Sequence, residues 1–100
     1  MFIKIDLKKE DKKLTIKLGG KLDTNTSPEL DSKMNELEGM EEVIIDMKEL
    51  DYISSAGLRV LLSMQKVMNK QGKMTIINVC ENVMDIFEVT GFSDILDIEG

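Results

Sequence analysis

The chain of 100 residues contains no histidine. That absence removes imidazole general-base catalysis, Ser-His-Asp and Cys-His nucleophiles, and every histidine-containing zinc site. A single cysteine, Cys80, excludes an intrachain disulfide and a cysteine cage for metal, and fits a reducing compartment. Long apolar runs are missing too: none approaches the roughly 20 residues that a bilayer-spanning helix needs. The opening residues, Met1-Phe2-Ile3-Lys4-Ile5-Asp6, lack the basic region and apolar stretch of a signal peptide. Positive charge is scarce, with 13 basic against 19 acidic residues and a net charge of −6. Generic nucleic-acid or anionic-lipid binding runs on positive surface and is not expected here. What remains is a small binding or signalling module that needs no cofactor and works in the cytoplasm.

At 42% hydrophobic and 32% charged, the composition is that of a globular chain, with room for one domain over residues 1–100. Ile3, Ile5 and Leu7 alternate with Lys4, Asp6 and Lys8. After Lys9-Glu10-Asp11-Lys12 the alternation resumes with Leu14, Ile16 and Leu18. Two period-two runs joined by a charged turn predict an antiparallel hairpin with one wet face, which Gly19-Gly20 should end. Val43 to Met47 and Met74 to Val79 are near-continuous apolar runs, as in strands covered on both faces. Between them, Ala56 to Lys70 carries Leu58, Leu61, Leu62, Met64, Val67 and Met68 at helical spacing, with Gly72 placed as its C-terminal cap. Strand, helix and strand in that order predict a parallel βαβ crossover.

Ser27-Pro28-Glu29 is a helix start signal, with Ser as the N-cap and Pro in the first turn. Leu30, Met34 and Leu37 follow at spacings of four and three. A last helix runs from Glu81 to Thr90, ended by Gly91, and Ile95, Leu96 and Ile98 form a short strand or a turn. The fold class is α/β: a mixed sheet of four to five strands with three to four helices.

The segment Asp51-Tyr52-Ile53-Ser54-Ser55-Ala56-Gly57-Leu58-Arg59 places two serines where a loop enters the central helix. Free N–H groups and the helix dipole favour an anion there. Serine is also a common N-cap, so one of the two has a purely structural role.

The whole chain resembles a STAS domain of the anti-sigma-factor-antagonist type. The resemblance rests on Gly20-Lys21-Leu22-Asp23 after the hairpin, on Ser54-Ser55-Ala56-Gly57-Leu58, and on the terminal helix Val83 to Phe92. It implies phosphorylation at Ser55, with Ser54 as the alternative register. Two residues depart from the family pattern. Ser54 stands where Asp is usual, and Ala56 replaces a Ser or Thr. The resemblance also implies a partner surface of Asp23, Ser54, Ser55, Gly57, Leu58 and Arg59.

Each of these residues has a plainer alternative. Asp23 could simply bond its own turn. Arg59, the chain's one arginine, lies four residues after Ser55, within reach of a phosphate there, or is a solvated or carboxylate-paired cation. Gly57 in a first helical turn is a poor helix former and suggests a close approach, by a partner or by the sheet. Asp46 and Asp51 are a weak pair of Mg²⁺ candidates, and no phosphate-cradling glycine loop is present. Cys80 and most of the methionines read as core.

By the same resemblance, the unphosphorylated protein binds an anti-sigma factor with serine kinase activity and so frees a sigma factor. Phosphorylation by that partner releases it, and a PP2C-type phosphatase resets it. The free protein would be a monomer and no enzyme. The alternatives are a structural STAS subunit of a larger signalling or transport assembly, and a small nucleotide-binding protein.

Overall fold

The computed structural model describes residues 3–99. Strands β1 (Ile3–Glu10) and β2 (Lys13–Leu22) form the expected hairpin, turning through Asp11-Lys12 with Asp11 at a φ of 54°. Helix α1 (Ser27–Asp31) and a 3-10 turn (Met34–Leu37) lead to strand β3 (Glu42–Ile53). Helix α2 (Ser55–Asn69), strand β4 (Lys73–Ile77), helix α3 (Glu81–Thr90), a 3-10 turn (Phe92–Asp94) and strand β5 (Ile98–Glu99) follow. The sheet order is β1-β2-β3-β4-β5, antiparallel only between β1 and β2. The parallel strands step in one direction, so right-handed crossovers place their connecting helices on one face. That face carries Leu14, Ile16, Leu18, Val43, Ile45, Met74 and Ile76, all buried. The opposite face presents Lys4, Asp6, Lys8 and Lys17 to solvent. Among the described residues, no helix is long and apolar enough to cross a membrane.

Several boundaries differ from expectation, each for a local reason. Gly19-Gly20 does not end β2. Gly20 takes a φ of 90°, and the strand continues to Leu22 through register shifts against β3. Over those shifts β3 carries two more residues than β2, so its inward positions run Val43, Ile45, Met47, then Leu50, then Ile53. Each bulge slips the alternation by one. Thr26, not Ser27, occupies the N-cap of α1, which stops after five residues. There the Ser32 hydroxyl donates to the Glu29 carbonyl at 2.6 Å, competing with the helical ladder. Gly72 is no left-handed cap: α2 ends on right-handed Lys70, and a Cβ on Gly72 would meet the Glu41 carbonyl. Strand β4 stops at Ile77 because Asn78 turns to a φ of 58°. Gly91 does end α3, at a φ of 83°.

Candidate functional site

The site forms where the ends of β2 and β3 meet the start of α2. Leu22 pairs with Ile53, and the Ser54 N–H donates to the Leu22 carbonyl at 2.8 Å. This holds Ser54 extended, at φ −100° and ψ 175°, in the N-cap position of α2. Its carbonyl accepts from the Leu58 N–H at 2.9 Å, and its hydroxyl accepts from the Gly57 N–H at a long 3.4 Å. Ser54 is therefore the cap. Ser55 is the first helical residue, and it is exposed.

One residue beyond Leu22, Asp23 closes a tight turn on itself. Its Oδ1 accepts from the N–H groups of Asn25 (2.9 Å) and Thr26 (3.0 Å) and from the Thr26 hydroxyl (3.2 Å). The same Thr26 hydroxyl donates to the Lys21 carbonyl at 2.7 Å and accepts from the Asp23 N–H at 2.8 Å. Desolvation pushes the Asp23 carboxyl up, but these hydrogen bonds outweigh it and hold the group below the ordinary Asp range. The self-bonding role of Asp23 is thus present in full.

Two of the expected contact residues face inward. Leu58 is only 4% exposed and belongs to the core. Gly57 is buried against the sheet: a Cβ there would lie 2.8 Å from Leu22 Cγ and 2.9 Å from Ile53 Cγ1. The close approach at Gly57 comes from this chain's own side chains, so the expectation that it leaves room for a partner is corrected. Arg59 is exposed and borders a shallow depression of about 300 Å³ between α1 and α2, shared with Pro28, Asp31 and Ser63. Among the described residues it makes no ion pair.

The two Mg²⁺ candidates are engaged separately. Asp46 accepts from the Lys48 N–H (3.0 Å) and the Asn78 amide (3.1 Å), whereas Asp51 pairs with Lys21 at 3.0 Å. Among the described residues, no group of three or more His, Cys, Asp or Glu is placed to hold a metal. Cys80 is half-buried, with its thiol donating to the Leu50 carbonyl at 3.4 Å.

Tyr52 is a further candidate that no sequence pattern marks. It is 42% exposed, directly opposite Lys21, whose Nζ lies 5.9 Å from the ring centroid and also reaches Asp51. An exposed aromatic braced by a cation, two residues before the cap, is the kind of group on which protein contacts anchor.

Comparisons with known proteins place the fold. The family model for the STAS domain matches residues 4–99. The anti-sigma-B factor antagonist of Bacillus subtilis (strain 168) is 31% identical over 100 residues, covering 98% of this chain and 92% of its own. An anti-sigma factor antagonist from Mycobacterium paratuberculosis superposes with a TM-score of 0.85 at 16% identity, over 96% of this chain and 84% of its own. The phosphorylated form of SpoIIAA, a Bacillus cell fate determinant, gives 0.74 at 16% identity over 97% and 92%. The match extends along nearly the whole chain, from the hairpin through the serine-capped helix to the last strand. This chain belongs to the STAS domain family.

Proposed function

We propose that the chain is an anti-sigma factor antagonist switched by phosphorylation of Ser55. Unphosphorylated, it binds an anti-sigma factor that is also a serine kinase, and so frees a sigma factor. The observation that carries this reading is the division of roles between neighbouring serines: Ser54 caps the helix, and Ser55 stands exposed beside it. Support comes from the full-length relative named an anti-sigma-B factor antagonist, and from the fold shared with a protein that has a phosphorylated form.

The chemistry asked of this chain is small. The Ser55 hydroxyl oxygen attacks the terminal phosphorus of ATP on the partner, the bond to ADP breaks, and the proton passes to a base on the partner. A PP2C-type phosphatase later moves the phosphoryl group to water. The chain is a substrate in both steps and catalyses neither.

A phosphoserine adds about −1.5 to −2 of charge at pH 7. At the first residue of α2 the helix dipole favours that charge, so the free fold tolerates it. A docked partner surface does not. Burying an unpaired charge costs several kcal/mol, against about 8 kcal/mol for a whole micromolar complex. Phosphorylation therefore releases the partner without unfolding the antagonist.

The test is incubation with a cognate ATPase-fold kinase and ATP, read by intact mass. Wild type and Ser54→Ala gain one phosphoryl group, and Ser55→Ala gains none. Normal modification of Ser55→Ala overturns the reading.

A further inference from the structure

Among the described residues, strand β1 forms one edge of the sheet, with β2 as its single neighbour. The two-residue loop Asp11-Lys12 closes on the pair Glu10 and Lys13, and a pair closing so short a loop is hydrogen-bonded. Bonded and non-bonded pairs alternate along an antiparallel ladder, so Lys4, Asp6, Lys8 and Glu10 turn their backbone groups to β2. Ile5, Leu7 and Lys9 turn theirs to the open edge. Ile5 and Leu7 are only partly buried, at the margin of the core. An eight-residue edge with free N–H and C=O groups is a template for another strand. The opposite edge, β5, has two residues among those described and offers no such length there.

The charges along β1 select the strand that fits. On the solvent face they alternate as Lys4, Asp6, Lys8 and Glu10, with side chains 59% to 74% exposed. Reversed end to end, the same row presents the opposite sign at every position. We propose that β1 pairs antiparallel with β1 of a second copy of this chain, about a two-fold axis through Leu7. Lys4 then faces Glu10 of the other copy, and Asp6 faces its Lys8, each pair occurring twice. On the helix face Leu7 meets Leu7, and the Lys9 stem covers Ile5 while its ammonium keeps Glu36, 2.7 Å away in the single chain.

Neighbouring registers fit less well. An axis through Asp6 sets Lys4 against Lys8 and Asp6 against itself. An axis through Ile5 pairs Lys4 with Asp6 but leaves Lys8 and Glu10 unopposed. Opposite charges across a strand pair stabilise and like charges destabilise, which favours Leu7. The dimer departs from the monomer expected from the sequence, and it leaves Ser55 free, because α2 follows β3, two strands from the seam.

Sedimentation over a series from low micromolar to near-millimolar protein tests this directly. Wild type shifts from the mass of one chain toward two, less readily at high salt. Lys8→Glu sets like charges against Asp6 and raises the dimer dissociation constant roughly tenfold or more, and adding Asp6→Lys to it, which completes the reciprocal swap, restores it. Glu10→Lys, which opposes Lys4, gives the same loss should Lys8→Glu fail to fold. A single-chain mass at every concentration overturns the proposal. So does a dimer that Lys8→Glu leaves intact, or one that the reciprocal swap dissociates.

Discussion

Gly57 lies so close to Leu22 that a Cβ on the first would stand 2.8 Å from Cγ of the second. This contact joins the first turn of α2 to the end of β2. Ile53 Cγ1, at 2.9 Å, closes the other side. Both neighbours are carbons near a branch point, with little freedom to retreat. Gly57→Ala gains about 1 kcal/mol of helix propensity but overpacks by about 1–3 kcal/mol. We expect net destabilisation of the isolated domain by about 1 kcal/mol, a Tm lowered by roughly 4–8 °C. A Tm at or above wild type in thermal denaturation would contradict the packing role.

The two serines should separate cleanly by stability. Ser54→Ala removes a cap and should cost about 0.5–1 kcal/mol, low in the usual range because the bond to Gly57 is a long 3.4 Å. Ser55→Ala should leave urea unfolding unchanged, still bind the partner and act as a constitutive antagonist. Equal stability losses in the two variants would refute the assigned cap.

Ser55→Asp should bind the anti-sigma factor more weakly and fold at least as well as wild type. A carboxylate in the first turn of a helix stabilises by about 0.3–1 kcal/mol at low salt. Calorimetric titration showing equal affinity for Ser55→Asp and wild type would exclude charge as the basis of the switch.

Asp23 predicts a stability difference in acid. Its carboxyl titrates below the ordinary value of 3.8 because the folded turn donates to its charged form. A depressed folded pKa stabilises fully above the unfolded value, and that contribution is lost as pH falls through the folded one. Asp23→Asn keeps an acceptor oxygen but does not titrate. Urea unfolding should therefore show wild type losing more stability than Asp23→Asn when pH drops below 3.8. Glu36, held low by Lys9, titrates in both proteins and cancels. Parallel acid losses would remove the turn as a source of the dependence.

Periodicity revealed most of the fold. Ile3 to Leu7 and Leu14 to Leu18 alternate without interruption, and the helix from Ser55 to Asn69 repeats its apolar positions over four turns. Difficulty began where the period changes within one element. The bulges put Leu50 and Ile53 inward at spacings of three, so β3 looked like a five-residue strand and Tyr52 like part of a loop. At the candidate site, the local pattern marked a helix start at Ser54-Ser55, but cap assignment needed the backbone of Leu22, distant in sequence. Leu58 belongs to a family motif that implies surface, although its helical spacing with Leu61 places it inside. Motif membership carries no direction, whereas spacing does.

The paired slips between β2 and β3 make the aim of Ser55 a matter of strand register as well as residue type. One slip alone would leave every later side chain of β3 reversed, and the second cancels it before Ile53. Loss of either bulge with the residue count unchanged would therefore turn Ile53 outward and deliver α2 rotated against the sheet, with both serines still present. A change in this stretch that suppresses one bulge is thus a route to silencing or redirecting the site with its motif intact.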